Sequence, residues 1–144
     1  MKLLFRNCDM DDFDEIAKLL SQLWPHTDPG NPQLKSVYQT ALNSPSQVYI
    51  CAVYHGRIIG FCSLTIKNNL WIQGNLGHVD ELVIDGHYRG KGVGGQLLAA
   101  MTKIAAEKNC KRIELDSSFR RTKAHQFYMQ RGFENRGYLF SKAL

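Results

Sequence analysis

A chain of 144 residues, 44% apolar and carrying a net charge of +5, is long enough to bury the core of one domain, and one domain spanning residues 1–144 is expected. No apolar run approaches the ~18 residues of a membrane span, and Met1-Lys-Leu-Leu-Phe5 is too short for the apolar stretch of a secretory leader, so a cytoplasmic protein without a membrane partner is expected. Cys8, Cys51, Cys62 and Cys110 contain no C-x-x-C pair and read as free, mostly buried thiols in a reducing compartment.

A metal centre would have to be assembled from Cys51, His55 and Cys62, and none is expected. The positive residues are scattered apart from Lys111, Arg112, Arg120, Arg121 and Lys123. Without an aromatic–basic platform or recognition-helix pattern, nucleic acid is not an expected partner.

In chain order, Leu3 to Arg6 reads as a first strand. Asp9 is a cap for a helix running to about Gln22, with Asp11 and Asp12 favouring its dipole. Phe13, Ile16, Ala17, Leu20 and Leu23 keep helical spacing, and Pro25 stops it. Trp24 follows, as either a core anchor or a pocket wall. Pro32 opens a second helix to Asn43. Val48 to Tyr54, His55-Gly56 and Ile58 to Ile66 form a hairpin, and Lys67 to Asn75 a polar loop. An apolar strand from Val79 to Ile84 comes next. Gly92 to Lys108 is a helix with Val93, Leu97, Leu98, Met101, Ile104 and Ala105 on one stripe. Arg112 to Asp116 is a strand, Thr122 to Gln130 a helix closed by Gly132, and Phe133 to Glu134 and Tyr138 to Lys142 are final strands.

The chemistry concentrates where the Val79–Ile84 strand runs through Asp85–Tyr88 into Arg89-Gly90-Lys91-Gly92-Val93-Gly94-Gly95. Consecutive amides with little side-chain bulk, at the positive end of a helix, form an anion cradle, to which Arg89 and Lys91 add charge. The spacing is not that of a Walker A loop. Gly90-x-Gly92-x-x-Gly95, with Glu114 and Asp116 downstream, matches the dinucleotide fingerprint. That fingerprint wants its first glycine in the turn directly after the strand, whereas five residues intervene here.

R-x-x-G-x-G fits better, through Arg89, Gly92 and Gly94. Together with the preceding strand and Ala124-His-Gln-Phe-Tyr128-Met-Gln-Arg-Gly-Phe133, it resembles the Gcn5-related N-acetyltransferases. The resemblance covers at least Leu76 to Phe133. It implies transfer of an acetyl group from acetyl-CoA to an amine. It also implies an α/β fold: one mixed, mostly antiparallel sheet with a parallel pair at its centre and about four flanking helices. By the same resemblance the amides of Gly90, Lys91, Gly92, Val93, Gly94 and Gly95, with Arg89, hold the CoA pyrophosphate. Leu82, Val83 and Ile84 pair with the pantetheine arm, and Ser117 and Ser118 line its cleft. Lys123 and its basic neighbours either meet the adenosine 3′-phosphate or form a solvated face. A homodimer is common in the family.

Such a reaction needs a neutral amine, a polarised carbonyl and a protonated leaving thiolate. The motif puts Tyr128 at the thiolate. His78, Asp80 and Asp116 correspond to family positions that hold bases or amine anchors. His78 stands where the family often has Glu. Simple alternation puts His78, Asp80 and Leu82 on one face and Val79, Glu81 and Val83 on the other, unless a bulge shifts the register. Glu81 is read as structural. The chain's end resembles small aminoalkylphosphonate acetyltransferases, and Gln22-Leu-Trp24-Pro25 with Asp116 resembles aminoglycoside 6′-N-acetyltransferases; either implies a small primary amine as acceptor. A non-catalytic acetyl-CoA-binding regulator and a protein N-terminal or lysine acetyltransferase are the alternatives.

Overall fold

The computed structural model describes residues Met1–Leu144. Its strands are β1 (Leu4–Asn7), β2 (Gln47–Tyr54), β3 (Arg57–Asn69), β4 (Gly74–Ile84) and β5 (Cys110–Leu115), and its helices are α1 (Phe13–Leu23), α2 (Pro32–Leu42), α3 (Val93–Glu107) and α4 (Thr122–Met129). The strands lie in sequence order in one open sheet. β1 to β4 pair antiparallel, and β5 runs parallel to β4.

Local chemistry sets the boundaries. Asp9 caps a 3₁₀ turn, Met10–Asp12, that leads into α1, and Asp12 closes the box by accepting from the Asp9 amide at 2.8 Å. Arg6 donates to both Asp12 oxygens, at 2.7 and 2.9 Å, which holds that carboxyl below its ordinary range and ties β1 to the start of α1. Asn31 caps α2, with Pro32 in its first turn. The β2–β3 turn needs two left-handed residues, His55 (φ 48°) and Gly56 (φ 73°), as a tight hairpin does.

Each sheet face carries a core. Val48, Ile50, Cys62, Leu64 and Val79 meet Val93, Leu97, Leu98 and Met101 of α3 on one side. Cys51, Phe61 and Val83 meet Phe13, Ile16 and Leu20 of α1 and Tyr38 of α2 on the other. Cys51 and Cys62 therefore sit on opposite faces, and no shared ligand set forms between them. All four cysteines are free, three of them buried.

Three expectations are corrected. The polar stretch Lys67 to Asn75 is mostly strand: Ile66, Lys67, Asn68 and Asn69 pair with Gly77, Leu76, Asn75 and Gly74, leaving only a short tip that exposes Leu70 and Trp71. A ladder satisfies backbone groups whatever the side chains, so polar residues extend a hairpin once it is nucleated. Phe133 to Glu134 and Tyr138 to Lys142, in contrast, form no strand. Phe133 packs beside Tyr128 (5.8 Å), and beyond it the segment contacts the rest through Arg136 over Trp71 (4.3 Å) and Tyr138 beside Phe119 (5.7 Å). The parallel pair accordingly lies at an edge of the sheet and not at its centre.

Candidate active site

β5 accompanies β4 only as far as the pair Val79↔Leu115, while β4 continues to Ile84. From Asp80 onward, that side of β4 has no strand partner, and its main-chain N–H and C=O groups are open to an extended ligand. Beyond Ile84, a 3₁₀ turn at Gly86–Tyr88 reverses the chain. Asp85 accepts from the His87 amide, and the Gly86 amide donates to Gln22 Oε1 of α1, both at 2.9 Å. Arg89 Nε donates to the Ile84 carbonyl at 3.1 Å and fastens the loop to the strand end.

Gly90 (φ 75°) and Gly92 (φ 81°) are left-handed, and a Cβ at either would meet nothing within 4 Å. Their requirement is thus conformational, with open space in front of them. Gly92 is the N-cap of α3, no side chain caps that helix, and the first bond into it is Gln96 N–H to the Gly92 carbonyl. The first-turn amides point outward at the positive dipole end, as an anion site requires. Gly95 does a different job: a Cβ there would come 2.7 Å from Arg131, whose guanidinium stacks 3.7 Å over Phe127. Lys91 turns over Tyr88, 5.7 Å from its ring centroid.

The basic cluster of the sequence is split in space. Lys111 donates to the Gln73 carbonyl at 2.9 Å and Arg112 lies over Trp71, by the β3–β4 tip. Arg120, Arg121 and exposed Lys123 lie past the opposite end of β5. Where the two strands part, the buried Ser117 Oγ has no hydrogen-bond partner, a polar atom of the kind a ligand satisfies.

On the other side of the parting lies a carboxylate–imidazole trio. His78 Nδ1 is 3.0 Å from Asp80 and Nε2 is 3.1 Å from Asp116. Thr65 Oγ1 donates to the second Asp80 oxygen. The Asp80 hydrogen bond above all, with the charges of Asp80, Asp116 and Glu114, raises His78 above its ordinary range against the opposing effect of burial. An imidazole bridging two carboxylates favours its charged form. When protonated it balances their charge.

A bulge sets which groups face which way. Glu81 pairs with Ser63 and Val79 with Leu64, leaving Asp80 as the extra residue. The register of simple alternation is thereby shifted: Val79, Leu82 and Ile84 pack toward α3, Val83 faces α1, and Asp80 and Glu81 face one cleft. Leu82 thus does not share the face of Asp80. Glu81, read from sequence as structural, accepts from Ser63 Oγ at 2.6 Å while its own amide donates to that oxygen at 2.9 Å. Burial raises its carboxyl above the ordinary range, aided by the charge of Asp80.

The cleft, about 370 Å³, is walled by Phe13, Trp24, Tyr38 and Tyr49, with Asp80 and Glu81 in its lining. Trp24 is a pocket wall, 39% exposed. Tyr38 and Tyr49 escape sequence reading, since α2 and β2 supply them far from any motif. Their rings form a chain: Phe13–Tyr38 at 5.2 Å, Tyr38–Tyr49 at 5.5 Å and Tyr49–Phe61 at 5.3 Å. On α4, Tyr128 lies between Phe127 and Phe133 (5.3 and 5.8 Å), and burial raises its hydroxyl pKa. Away from this region, Cys8, Asp12 and Cys51 also converge, but the guanidinium of Arg6 already occupies the Asp12 carboxylate and opposes a second cation there.

Known proteins resemble the chain over most of its length. The chain is 27% identical over 139 residues to an aminoalkylphosphonate N-acetyltransferase of Salmonella typhimurium, covering 96% of this chain and 90% of that protein. It is 29% identical over 137 residues to a glucosamine 6-phosphate N-acetyltransferase of Dictyostelium discoideum, covering 92% and 85%. An aminoglycoside N-acetyltransferase solved in complex with CoA superposes with a TM-score of 0.87 at 20% identity, covering 99% of this chain and 95% of that one. The family model of the GNAT acetyltransferases matches residues 13–133, and this protein belongs to that family.

Proposed function

We propose that this acetyltransferase, acting as one domain, moves an acetyl group from acetyl-CoA to the primary amine of a small molecule by direct attack. The observation that carries the reading is the parting of β4 from β5 after Val79↔Leu115, with an uncapped helix terminus on one side and the His78–Asp80–Asp116 trio on the other. A CoA-sized donor suits this arrangement. Its pyrophosphate would meet the amides of Gly90 to Gly95 beside Arg89 and Lys91, its pantetheine the open edge of Leu82 to Ile84, and its amide groups the unpartnered Ser117 Oγ. Lys123, at the start of α4, would face the adenosine phosphate.

The amine nitrogen attacks the thioester carbon, the C–S bond breaks, and Tyr128 O–H gives its proton to the sulfur. An amide hydrogen of the open β4 edge polarises the carbonyl. The proton lost by the amine passes to a carboxylate of the Asp80–Glu81–Asp116 group, directly or through water. Glu81, with its raised pKa, is the better matched base, while His78 holds Asp80 and Asp116 in position. A colorimetric assay of free CoA thiol across a panel of amines tests this. Release that depends on both substrates is expected, and acetyl-CoA binding without release from any amine or peptide would indicate a binding module instead.

A further inference from the structure

From the lining of the acceptor cleft we infer that the acceptor is a monoamine on an apolar, preferably aromatic, body that carries no anionic group. This rests on the acetyltransferase reading above and names its substrate class. Eight of the twelve lining residues are hydrophobic, two are carboxylates, and no Lys or Arg is among them, although the chain as a whole carries a net charge of +5. A phosphonate or sugar phosphate entering such a cleft would shed water, would meet no Lys or Arg in the lining and would approach Asp80 and Glu81, while the imidazole of His78 is already engaged by Asp80 and Asp116, so both desolvation and repulsion oppose it. An ammonium gains from the same carboxylates and from the rings of Tyr49 and Trp24.

The acids sit together on β4, while α1 and α2 contribute Phe13, Leu20, Trp24, Leu34 and Val37. That layout matches one charged end on an apolar body. A polycation would leave its further ammonium groups against hydrocarbon. Lys35, whose exposed Nζ stands 5.9 Å from the Phe13 centroid, is the cation beside the aromatic wall that an anionic acceptor could use. The two relatives described above are named for a phosphonate and a phosphate acceptor, so the lining separates this chain from them.

The test measures kcat/KM from CoA thiol release with 2-phenylethylamine, aminomethylphosphonate, glucosamine 6-phosphate and spermidine at fixed acetyl-CoA. At least about tenfold preference for 2-phenylethylamine is expected. Trp24→Ala should raise its KM several-fold with a smaller change in kcat. Val37→Lys, at a 62% exposed position of the cleft, should lower its kcat/KM by about three- to tenfold through charge alone. Lys35→Ala should leave 2-phenylethylamine turnover unchanged. A preference for either phosphoanionic amine, lost in Lys35→Ala, overturns the inference while keeping the acetyltransferase reading, as does a preference for spermidine. Thiol release from none of these four amines overturns the inference, and only its absence across the wider panel of amines and peptides overturns the acetyltransferase reading as well.

Discussion

The two ends of the proposed site are built from different materials. The donor end is backbone: the open edge of β4, two left-handed glycines and the uncapped first turn of α3. The acceptor end is side chain: aromatic walls from α1, α2 and β2 with two carboxylates from β4. A backbone site tolerates almost any side chain that leaves the amides accessible, so relatives with different acceptors can share it. A side-chain site changes with each substitution, which is where members of one family diverge in substrate. Variants at the two ends should therefore fail in different ways.

The largest effect is expected at the donor end. Gly92→Val places a β-branched side chain at φ 81° and over the amides, so acetyl-CoA affinity should fall by at least about a hundredfold. Calorimetry on protein shown to be folded by circular dichroism checks this; unchanged affinity would remove the cradle assignment. Arg89→Ala should cost only about three- to tenfold, because the amides do most of the holding and Arg89 is engaged with the Ile84 carbonyl.

In the proposed mechanism Tyr128 acts where the two ends meet. Tyr128→Phe should lower kcat by roughly ten- to a thousandfold with acetyl-CoA affinity nearly unchanged. Full turnover in the variant would reduce Tyr128 to its packing between Phe127 and Phe133.

At the acceptor end, Asp116→Asn and Glu81→Gln should each lower kcat/KM for the amine by about tenfold or more and leave acetyl-CoA binding alone. A base must have lost its proton, so the wild-type profile should rise with pH, and the raised pKa of Glu81 sets that limb above the ordinary carboxylate range. In Glu81→Gln the limb should move toward the ionisation of the amine itself. An unchanged limb assigns the proton transfer to Asp80 or Asp116.

The same contrast explains what the sequence makes legible. Arg89, Gly92 and Gly94 fall within one six-residue stretch, and a backbone device built from one stretch leaves a spacing that can be read. The cleft draws on positions 13, 24, 38, 49, 80 and 81, which only the fold brings together. The bulge at Asp80 has no signature in composition, yet it puts Glu81 and Asp80 in one cleft. The α3 stripe is plain because burial on one side demands it: Val93, Leu97, Leu98 and Met101 are all buried. Tyr138 to Lys142 reads as strand by pattern alone, but a strand also needs an edge to pair with, and the segment forms no ladder beside β5.

The smallest expected effect is on stability and isolates His78. Its folded pKa lies above the ordinary 6.5, chiefly because of Asp80. A raised histidine contributes stability that is fully present below the unfolded pKa and is lost as pH rises through the folded one. The stability difference between wild type and Asp80→Asn should therefore be larger at pH 5.5 than at pH 9, because the variant loses the main cause of the shift. His78 remains partly exposed, so solvent screens the pair and the change in Tm difference should be only about 1–3 °C. Proton NMR of the imidazole reads the cause directly: its midpoint should lie above 6.5 in the wild type and fall in Asp80→Asn. A midpoint at or below 6.5 in the wild type would mean that His78 does not bridge the two carboxylates as imidazolium, and the neutral ring would then become the stronger candidate for the base.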